Sequence, residues 1–378
     1  KGGEKMFICP IVKVVGVACN LRCEYCFYRN LNQEFKDSVL MRIELVKILI
    51  ENMVELGLRK YSFVWHGGEP LLAGIEFFEK IVELQRLLIP SGIPVENHIQ
   101  TNGTLLNDDW IKFFLNNRFI VGVSIDGPSI INDKYRRYRN GAPTAREIIQ
   151  NINSAKKKGL EIGAIACITS WAANFPEEIY RFFVSVGIKN FTLNPVYEID
   201  SNGNLCEYSV SDEQYSKFLS GVIKIWAKED DPEVYIRQIH QPLEGLLLGR
   251  TTFCVYADRC ADFVNVFPNG DVTPCSEKMR GYILGNLFRE NLKDILEGRR
   301  YREYKKLTLP PRKCLKCKWF GICHGGCPYH RYESNGEERY VYCRSRKLVY
   351  SLLEKILKKG GFLNERKDHQ INQNIRVD

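Results

Sequence analysis

The stretch that decides the fold is Cys19–Tyr28, with the sequence CNLRCEYCFY, in which three cysteines follow the pattern Cys-x3-Cys-x2-Cys. Directly before it, the β-branched run Ile11–Val17 predicts a strand. Three thiolates from one short loop suit an iron-sulfur cube whose fourth iron has no protein ligand, because four-iron clusters otherwise take four cysteines. A structural zinc ion would need a fourth protein ligand, and the neighbouring sequence offers none. The triad therefore predicts a cluster with one iron open to a ligand that is not protein.

Beyond this loop, apolar runs alternate with longer amphipathic segments, which is the pattern of βα units around a parallel sheet. The apolar runs predict strands at Ile11–Val17, Tyr61–Trp65, Val95–Gln100, Ile120–Ser124, Glu161–Ile168 and Lys189–Asn194. The amphipathic segments predict helices at Arg42–Glu55, Ile75–Leu88, Asp108–Asn116, Ala145–Lys158, Pro176–Val186 and Asp212–Lys228. Six such units, instead of eight, predict an α/β fold with a partial (β/α)6 TIM barrel. The carboxyl ends of its strands share one face, where barrel enzymes place their chemistry.

Composition narrows the class of protein. The fourteen cysteines among 378 residues are too few for a disulfide-built mini-protein, which carries roughly 8–10% cysteine. No run reaches the roughly 18 apolar residues of a membrane helix and no secretory signal pattern is visible, so we expect a soluble, cytoplasmic protein. The formal charge of +9 is dispersed along helix-like segments, which does not favour nucleic-acid binding.

A second group of cysteines follows the predicted barrel. Eight of them have the spacing Cys254-x5-Cys260-x14-Cys275 and then Cys314-x2-Cys317-x5-Cys323-x3-Cys327-x15-Cys343. Eight cysteines make two sets of four, although the Cys-x2-Cys pair alone is also compatible with a zinc knuckle. We predict three parts of the chain: the partial barrel over residues 1–235, a cysteine-rich domain over 236–345, and a C-terminal helix with a disordered tail over 346–378.

The cysteine triad and the segments that follow the strands resemble the radical S-adenosylmethionine (SAM) superfamily. WHGGEP, Trp65–Pro70, ends the second strand and by this resemblance holds the methionine amine of SAM, while Gln100–Thr104 and Ser124–Pro128 end the third and fourth strands. Arg136 is a further contact by resemblance, although it also lies in a basic run, residues 134–139, that could be solvated. The residues carried over are the cluster ligands Cys19, Cys23 and Cys26 and the SAM contacts Phe27, Tyr28, Gly67, Gly68, Glu69, Gln100, Asn102, Ser124, Arg136 and Val196.

With its C-terminal cysteines, the chain is similar to the anaerobic sulfatase-maturating enzymes, which carry a SPASM domain. This resemblance implies one auxiliary cluster on Cys254, Cys260, Cys275 and Cys327 and another on Cys314, Cys317, Cys323 and Cys343. The implied cofactors are therefore three 4Fe-4S clusters, one of them SAM-binding, and SAM itself. The implied partners are a peptide or protein substrate and a reductant such as flavodoxin or ferredoxin. We expect a monomer that binds neither nucleic acid nor membrane.

The implied function is that of a radical SAM/SPASM oxidative maturase. Reductive cleavage of SAM gives a 5′-deoxyadenosyl radical that abstracts a hydrogen atom from a peptidyl residue, forming formylglycine or, in SPASM relatives, a thioether or carbon-carbon crosslink. The sulfatase maturases have a basic aspartate directly after the cysteine that corresponds to Cys275, whereas this chain has Ser276 and then Glu277. Their glutamine before the glycine pair is His66 here. Glu277, Ser276 and His66 are therefore the candidate catalytic residues.

Two other functions are compatible with the cysteines. A small-molecule radical SAM dehydrogenase often has a shortened tail with one auxiliary cluster, so the complete set of eight cysteines argues against it. A non-enzymatic iron-sulfur electron-transfer protein would not cleave SAM. Counting iron separates the first alternative, because three clusters hold about twelve irons per chain and two hold about eight.

Overall fold

Strands and helices alternate along the chain in the predicted order. The computed structural model describes residues 7–30, 39–257, 259–275, 282–332 and 340–363, so Ser276, Glu277 and most of the predicted tail lie outside the described residues. The strands are β1 (Cys9–Lys13), β2 (Tyr61–His66), β3 (Val95–Thr101), β4 (Ile120–Ser124), β5 (Ile162–Ile168), β6 (Asn190–Pro195), β7 (Tyr235–Ile236), β8 (Phe263–Val266), β9 (Asp271–Pro274) and β10 (Gly285–Asn286).

The six predicted amphipathic segments and the predicted C-terminal helix all form helices, and the remaining helices were not predicted. The helices are α1 (Ile43–Glu55), α2 (Ile75–Leu88), α3 (Asp108–Asn116), α4 (Ser129–Tyr135), α5 (Ala145–Lys157), α6 (Pro176–Ser185), α7 (Asp212–Glu229), α8 (Arg237–Leu248), α9 (Leu292–Glu297), α10 (Arg299–Thr308), α11 (Phe320–Cys323), α12 (Pro328–Tyr332) and α13 (Cys343–Lys359).

The first strand is shorter than predicted. β1 ends at Lys13, because the following residues turn back on themselves: Gly16 N donates to Lys13 O at 2.9 Å and Ala18 N donates to Val15 O at 3.0 Å. Gly16 has a φ of 56°, which favours glycine. The apolar residues after Lys13 therefore form the turn that leads into the cysteine loop.

The first of two compact units consists of residues 1–125, 132–164 and 261–307. Within it, β1 to β4 form parallel neighbours. β8 lies on the other side of β1 and pairs with it in parallel, and the antiparallel strands β9 and β10 follow. Part of the region predicted as a cysteine-rich domain thus extends this sheet.

The helix-facing core of this unit is aromatic. Phe78 of α2 is fully buried, and its ring makes edge contacts with Trp65, Trp110, Phe113 and Phe119 at centroid distances between 5.5 and 6.4 Å. Such pairs contribute about 0.5–1.5 kcal/mol beyond the area that they bury. The cluster fixes α2 and α3 against β2, and so fixes the residues that end β2.

The second unit consists of residues 126–131, 165–260 and 308–378. In it, β6 and β7 pair in parallel, and α13 packs against α7 and α8. α7 begins with a capping box, in which Ser211 and Gln214 satisfy each other's backbone N–H groups. In the described part of the chain, no helix has the length and apolar character required to span a membrane.

Candidate cluster and cofactor sites

The cysteine loop, residues 19–26, follows β1 and is held by the segment after α4. Arg22 N donates to Arg137 O at 2.8 Å, and Arg139 Nε donates to Cys19 O at 3.1 Å. The sequence of the basic run, residues 134–139, also allowed a position in solvent. Two residues of this run instead form hydrogen bonds with the backbone of the cysteine loop.

Arg136 in the same run is buried, with 6% of its surface exposed. Its guanidinium lies 5.7 Å from the centre of the Tyr25 ring, and its charge lowers the pKa of both Cys26 and Glu69, although burial raises both more strongly. A solvated position is therefore wrong for this residue, whereas its role as a SAM contact stays a prediction.

The thiols of the loop are close to one another and shielded from water. Cys19 Sγ accepts hydrogen bonds from Leu21 N at 3.3 Å and from Asn102 Nδ2 at 3.7 Å. Burial and the neighbouring thiols raise the pKa of Cys19 to about 11 and that of Cys26 to about 12. Because metal ligands must be thiolates, a bound cation is what would deprotonate these groups. Three neighbouring thiols, one buried and two half-buried, fit a cluster with three protein ligands.

The glycine pair after β2 allows two loops to touch through their backbones. Gly68 N donates to Gly16 O at 2.9 Å and Glu69 N donates to Ala18 O at 2.7 Å. A Cβ atom on Gly68 would lie 1.9 Å from Ala18 O, and one on Gly67 would lie 2.9 Å from Gly16 O. The GGE segment is therefore hydrogen-bonded to the residues that lead into the cysteine loop.

Glu69 is a fully buried carboxylate beside the cysteine loop. It accepts hydrogen bonds from Leu71 N at 3.0 Å, Thr101 Oγ1 at 2.7 Å and Asn102 N at 2.7 Å. Burial raises its pKa to about 7 in spite of these donors. A cationic ligand would lower that pKa again, so this site favours an ammonium group.

A polar network that the sequence did not single out joins β3 to the cysteine loop. Asn102 Nδ2 donates to Asn20 Oδ1 at 2.8 Å, Asn20 Nδ2 donates to Thr104 Oγ1 at 2.8 Å, and Thr104 Oγ1 donates to Asn102 Oδ1 at 2.7 Å. Asn20 and Thr104 lie next to residues that were predicted to act, but no spacing pattern marked them. The closed ring of amides and a hydroxyl fixes the Asn102 side chain that reaches Cys19.

The two other predicted contacts at the strand ends also meet. Gln100 Nε2 donates to Ser124 Oγ at 2.9 Å, and Gly122 leaves space for this side chain because a Cβ there would lie 2.3 Å from Gln100 Oε1. Val196 lies in the second unit after β6, with its N–H bonded to Ile168 O at 3.0 Å. Its place beside the adenine stays a prediction.

His66 ends β2 and is held as a hydrogen-bond donor. Its Nδ1 accepts from Gly67 N at 2.7 Å and lies 3.3 Å from Tyr28 OH, which itself accepts from Lys13 Nζ at 2.9 Å. Burial, with the nearby Lys13 charge, lowers the pKa of His66 to about 3. The neutral ring therefore carries its proton on Nε2, and it cannot accept a substrate proton at that atom.

The aromatic residues after the third cysteine pack as a pair. The rings of Phe27 and Tyr28 lie 4.2 Å apart, and Tyr28 packs with Phe267 at the end of β8. The predicted aromatic contacts therefore form one wall next to Cys26.

The second unit collects the C-terminal thiols in two groups. Burial and the neighbouring thiols of Cys260 and Cys327 raise the pKa of Cys254 to about 12. Burial raises the pKa of Cys314 as well, and the neighbouring thiols of Cys323, Cys343 and Cys317 raise it further. The two ligand sets that the resemblance implied stay a prediction, and Cys275 lies directly after β9 in the first unit. No three His, Cys, Asp or Glu side chains among the described residues are arranged to hold a single metal ion.

Family models match both halves of this arrangement. The radical SAM superfamily model matches residues 14–180, and a model of the iron-sulfur cluster-binding SPASM domain matches residues 254–318. The chain is 34% identical over 352 residues to the cysteine-type anaerobic sulfatase-maturating enzyme of Clostridium perfringens, which covers 89% of this chain and 94% of the relative. The chain belongs to the anaerobic sulfatase-maturating enzymes. It is also 32% identical over 348 residues to the serine-type enzyme of Bacteroides thetaiotaomicron, which covers 86% of this chain and 84% of that one.

Solved structures agree with this family. Native anSMEcpe with bound AdoMet has 30% sequence identity and a TM-score of 0.85, with 93% of this chain and 99% of that chain covered. SuiB of Streptococcus suis, at 16% identity and a TM-score of 0.64, covers 89% of this chain and 76% of its own and shares the fold. The predicted α/β fold with radical SAM and SPASM domains is confirmed. So are the predicted class of enzyme, a radical SAM oxidoreductase for protein substrates, and its iron-sulfur and SAM cofactors.

The close approach at Gly68 can be tested by its effect on stability. We expect G68A to lower the free energy of unfolding by about 3 kcal/mol or more, because the backbone at 1.9 Å cannot move aside. As a control, G141A has only an unfavourable φ of 84° with open space around it, and we expect it to cost about 1–2 kcal/mol. Denaturant unfolding of the two variants at equal iron loading measures the difference. Equal losses of unfolding free energy in G68A and G141A would contradict the close contact between Gly68 and Ala18 O.

The donor role of His66 predicts which substitution preserves activity. We expect H66Q to retain substrate maturation, since an amide also donates, and H66A to lose roughly tenfold in kcat/KM with the lost hydrogen bond. At saturating SAM, where the titration of Glu69 does not limit the rate, the pH profile of kcat/KM for the peptide should show no titration of His66 near neutrality, because its pKa is lowered to about 3. If H66Q is as inactive as H66A and the wild-type profile titrates near the usual histidine pKa, His66 acts as a base instead.

Proposed function

We propose that this protein oxidises a cysteine or serine side chain of a sulfatase to formylglycine. The observation that carries the proposal is the cysteine loop beside Glu69, a buried carboxylate suited to an ammonium group, in a chain that also holds two further groups of thiols. We further propose the three-part division at residues 235 and 345, three 4Fe-4S clusters, and the cysteine ligand sets that the family resemblance implies.

The oxidation removes two protons and two electrons in total, the equivalent of two hydrogen atoms, from the substrate carbon and its heteroatom. When bound, SAM and its cluster supply a 5′-deoxyadenosyl radical. The substrate carbon would lose one hydrogen atom and the hydroxyl or thiol would lose a proton to a base. The remaining electron would pass to an auxiliary cluster, which the C-terminal cysteines would hold. A serine substrate thus becomes an aldehyde directly, whereas a cysteine substrate becomes a thioaldehyde that water converts to the aldehyde with release of hydrogen sulfide.

Glu277 is the proposed base. The family's aspartate position holds Ser276, and a serine is a poor base unless another group activates it. A carboxylate one residue further along the chain has the required chemistry. His66 is excluded from this role by its tautomer, since Nδ1 already accepts the Gly67 N–H.

Electrons for SAM cleavage are proposed to come from a flavodoxin or ferredoxin in the cytoplasm. The proposed oligomeric state is a monomer. Each step of the chemistry then needs this chain with its clusters, SAM, the peptide substrate, the one-electron carrier and, for a cysteine substrate, water.

The role of Glu69 predicts a pH-dependent affinity for SAM. Between pH 8 and pH 6 the carboxylate, with its pKa raised to about 7, takes up a proton that competes with the ligand ammonium. We therefore expect SAM affinity to fall roughly tenfold over this range and E69Q to weaken binding by one to two orders of magnitude without pH dependence. Anaerobic equilibrium dialysis measures both, with E76Q on the exposed face of α2 as the control. A pH-independent affinity in the wild-type protein would contradict this role.

The proposed function is tested by anaerobic incubation with SAM, a reductant and sulfatase-motif peptides that contain serine or cysteine. We expect 5′-deoxyadenosine and an aldehyde-bearing peptide, identified by mass spectrometry after trapping with a hydrazine reagent. E277Q should lower product formation by roughly 10²-fold or more, because a general base contributes this much, while S276A changes it little. Full activity of E277Q would remove Glu277 from the mechanism.

Ser276 favours one second candidate, a peptide crosslinking reaction that needs no base at the aspartate position. A crosslink also removes two hydrogens from the peptide, but it leaves no aldehyde for the trapping reagent. If the peptide loses two hydrogens and does not react with the hydrazine reagent, the product is a crosslink and not formylglycine.

A further inference from the structure

A buried arginine lies beside the C-terminal thiols of the second unit. Arg346, in the first turn of α13, is 8% exposed, and its Nη1 donates to Val255 O at 2.6 Å and to Cys323 Sγ at 3.8 Å. The guanidinium lies over two aromatic rings, 4.0 Å from the centre of Tyr256 and 4.7 Å from that of Tyr340. The side chain is thus fixed on both faces and at its edge.

Among the residues that the structure describes, no carboxylate pairs with the charge of Arg346. Its hydrogen-bond acceptors are a carbonyl and a thiol, and in the described part of the chain it makes no ion pair. An arginine stays protonated in a protein, and a buried charge without a counter-charge is costly. Its place in the first turn of a helix adds to that cost, since this end of the helix dipole favours anions.

Among the described neighbours of Arg346, cysteines can supply the missing negative charge. Cys323, from one of the two thiol groups, accepts the hydrogen bond of Arg346. Cys327, from the other group, lines the same 290 Å³ cavity as Arg346, together with Tyr256 and Tyr340. A single guanidinium therefore faces both sets of thiolates that the auxiliary clusters need.

We propose that Arg346 is the shared buried counter-charge of the two auxiliary clusters and keeps both reduction potentials higher than they would be without it. The inference rests on the proposed function, which supplies the clusters. A fixed cation stabilises the more negative, reduced state of a nearby cluster, and the low dielectric of a buried site strengthens this effect. The electron left by the oxidised substrate is then accepted more readily. Arg346 is a positioning residue for charge and contacts no reacting atom.

The test is a redox titration of the intact, cluster-loaded protein without substrate, followed by electron paramagnetic resonance. R346Q removes the charge, and we expect the equilibrium constant for one-electron reduction of each auxiliary cluster to fall at least tenfold, or about 59 mV. R346K keeps the charge and should change this equilibrium constant less than roughly threefold, since the Coulomb interaction remains. R344Q is the matched control, because Arg344 is exposed in the same helical turn and its charge is screened by solvent.

Each outcome decides the proposal. Unchanged potentials in R346Q, with about twelve irons bound, overturn it. If R346Q fails to load the auxiliary clusters while R346K loads them fully, the buried charge is needed for the clusters to form, which supports it. If R346K also fails to load, the guanidinium serves packing between the two rings and the proposal is wrong. Product formation by the unaltered protein is measured separately, so a missing aldehyde bears on the proposed function alone.

Discussion

Thiols that bind iron must be deprotonated, yet this protein places many of them where burial favours the protonated form. The pKa of Cys26 is raised to about 12 in the first unit, and those of Cys254 and Cys327 are raised to about 12 as well. Since bound metal has to provide the energy that deprotonates these groups, cluster binding is part of folding here.

The same constraint explains why the surroundings of the cysteine loop are built from backbone contacts. The GGE segment meets residues 16–18 through two N–H···O bonds, with Gly68 too close to Ala18 O for any side chain. Backbone contacts of this kind fix a loop without adding charged or bulky groups next to the thiols. They also place Glu69, the buried carboxylate, directly beside the loop.

The sequence predicted the barrel strands well because their periodicity reflects burial on a parallel sheet. β2 to β6 begin and end within one residue of the predicted bounds. β1 ends early because the chain turns at Gly16, and the apolar residues around Gly16 had indicated a continuing strand. Contacts between residues that are far apart in the sequence were not predicted. Asn20 and Thr104 are joined over 84 positions by a hydrogen bond, and β8 pairs with β1, although neither has a periodic signal that names its partner.

For two buried arginines, the neighbouring sequence indicates the wrong exposure to solvent. Arg136 and Arg346 both stand in basic runs, and a run of this kind normally indicates a solvated helix face. Each is at most 8% exposed, and each lies beside thiols, Cys26 for Arg136 and Cys323 for Arg346. Thiolate clusters carry net negative charge, so cations that would be unfavourable in an ordinary core become stable next to them. Part of the formal charge of +9 is thereby internal, and it balances the clusters instead of attracting an external partner.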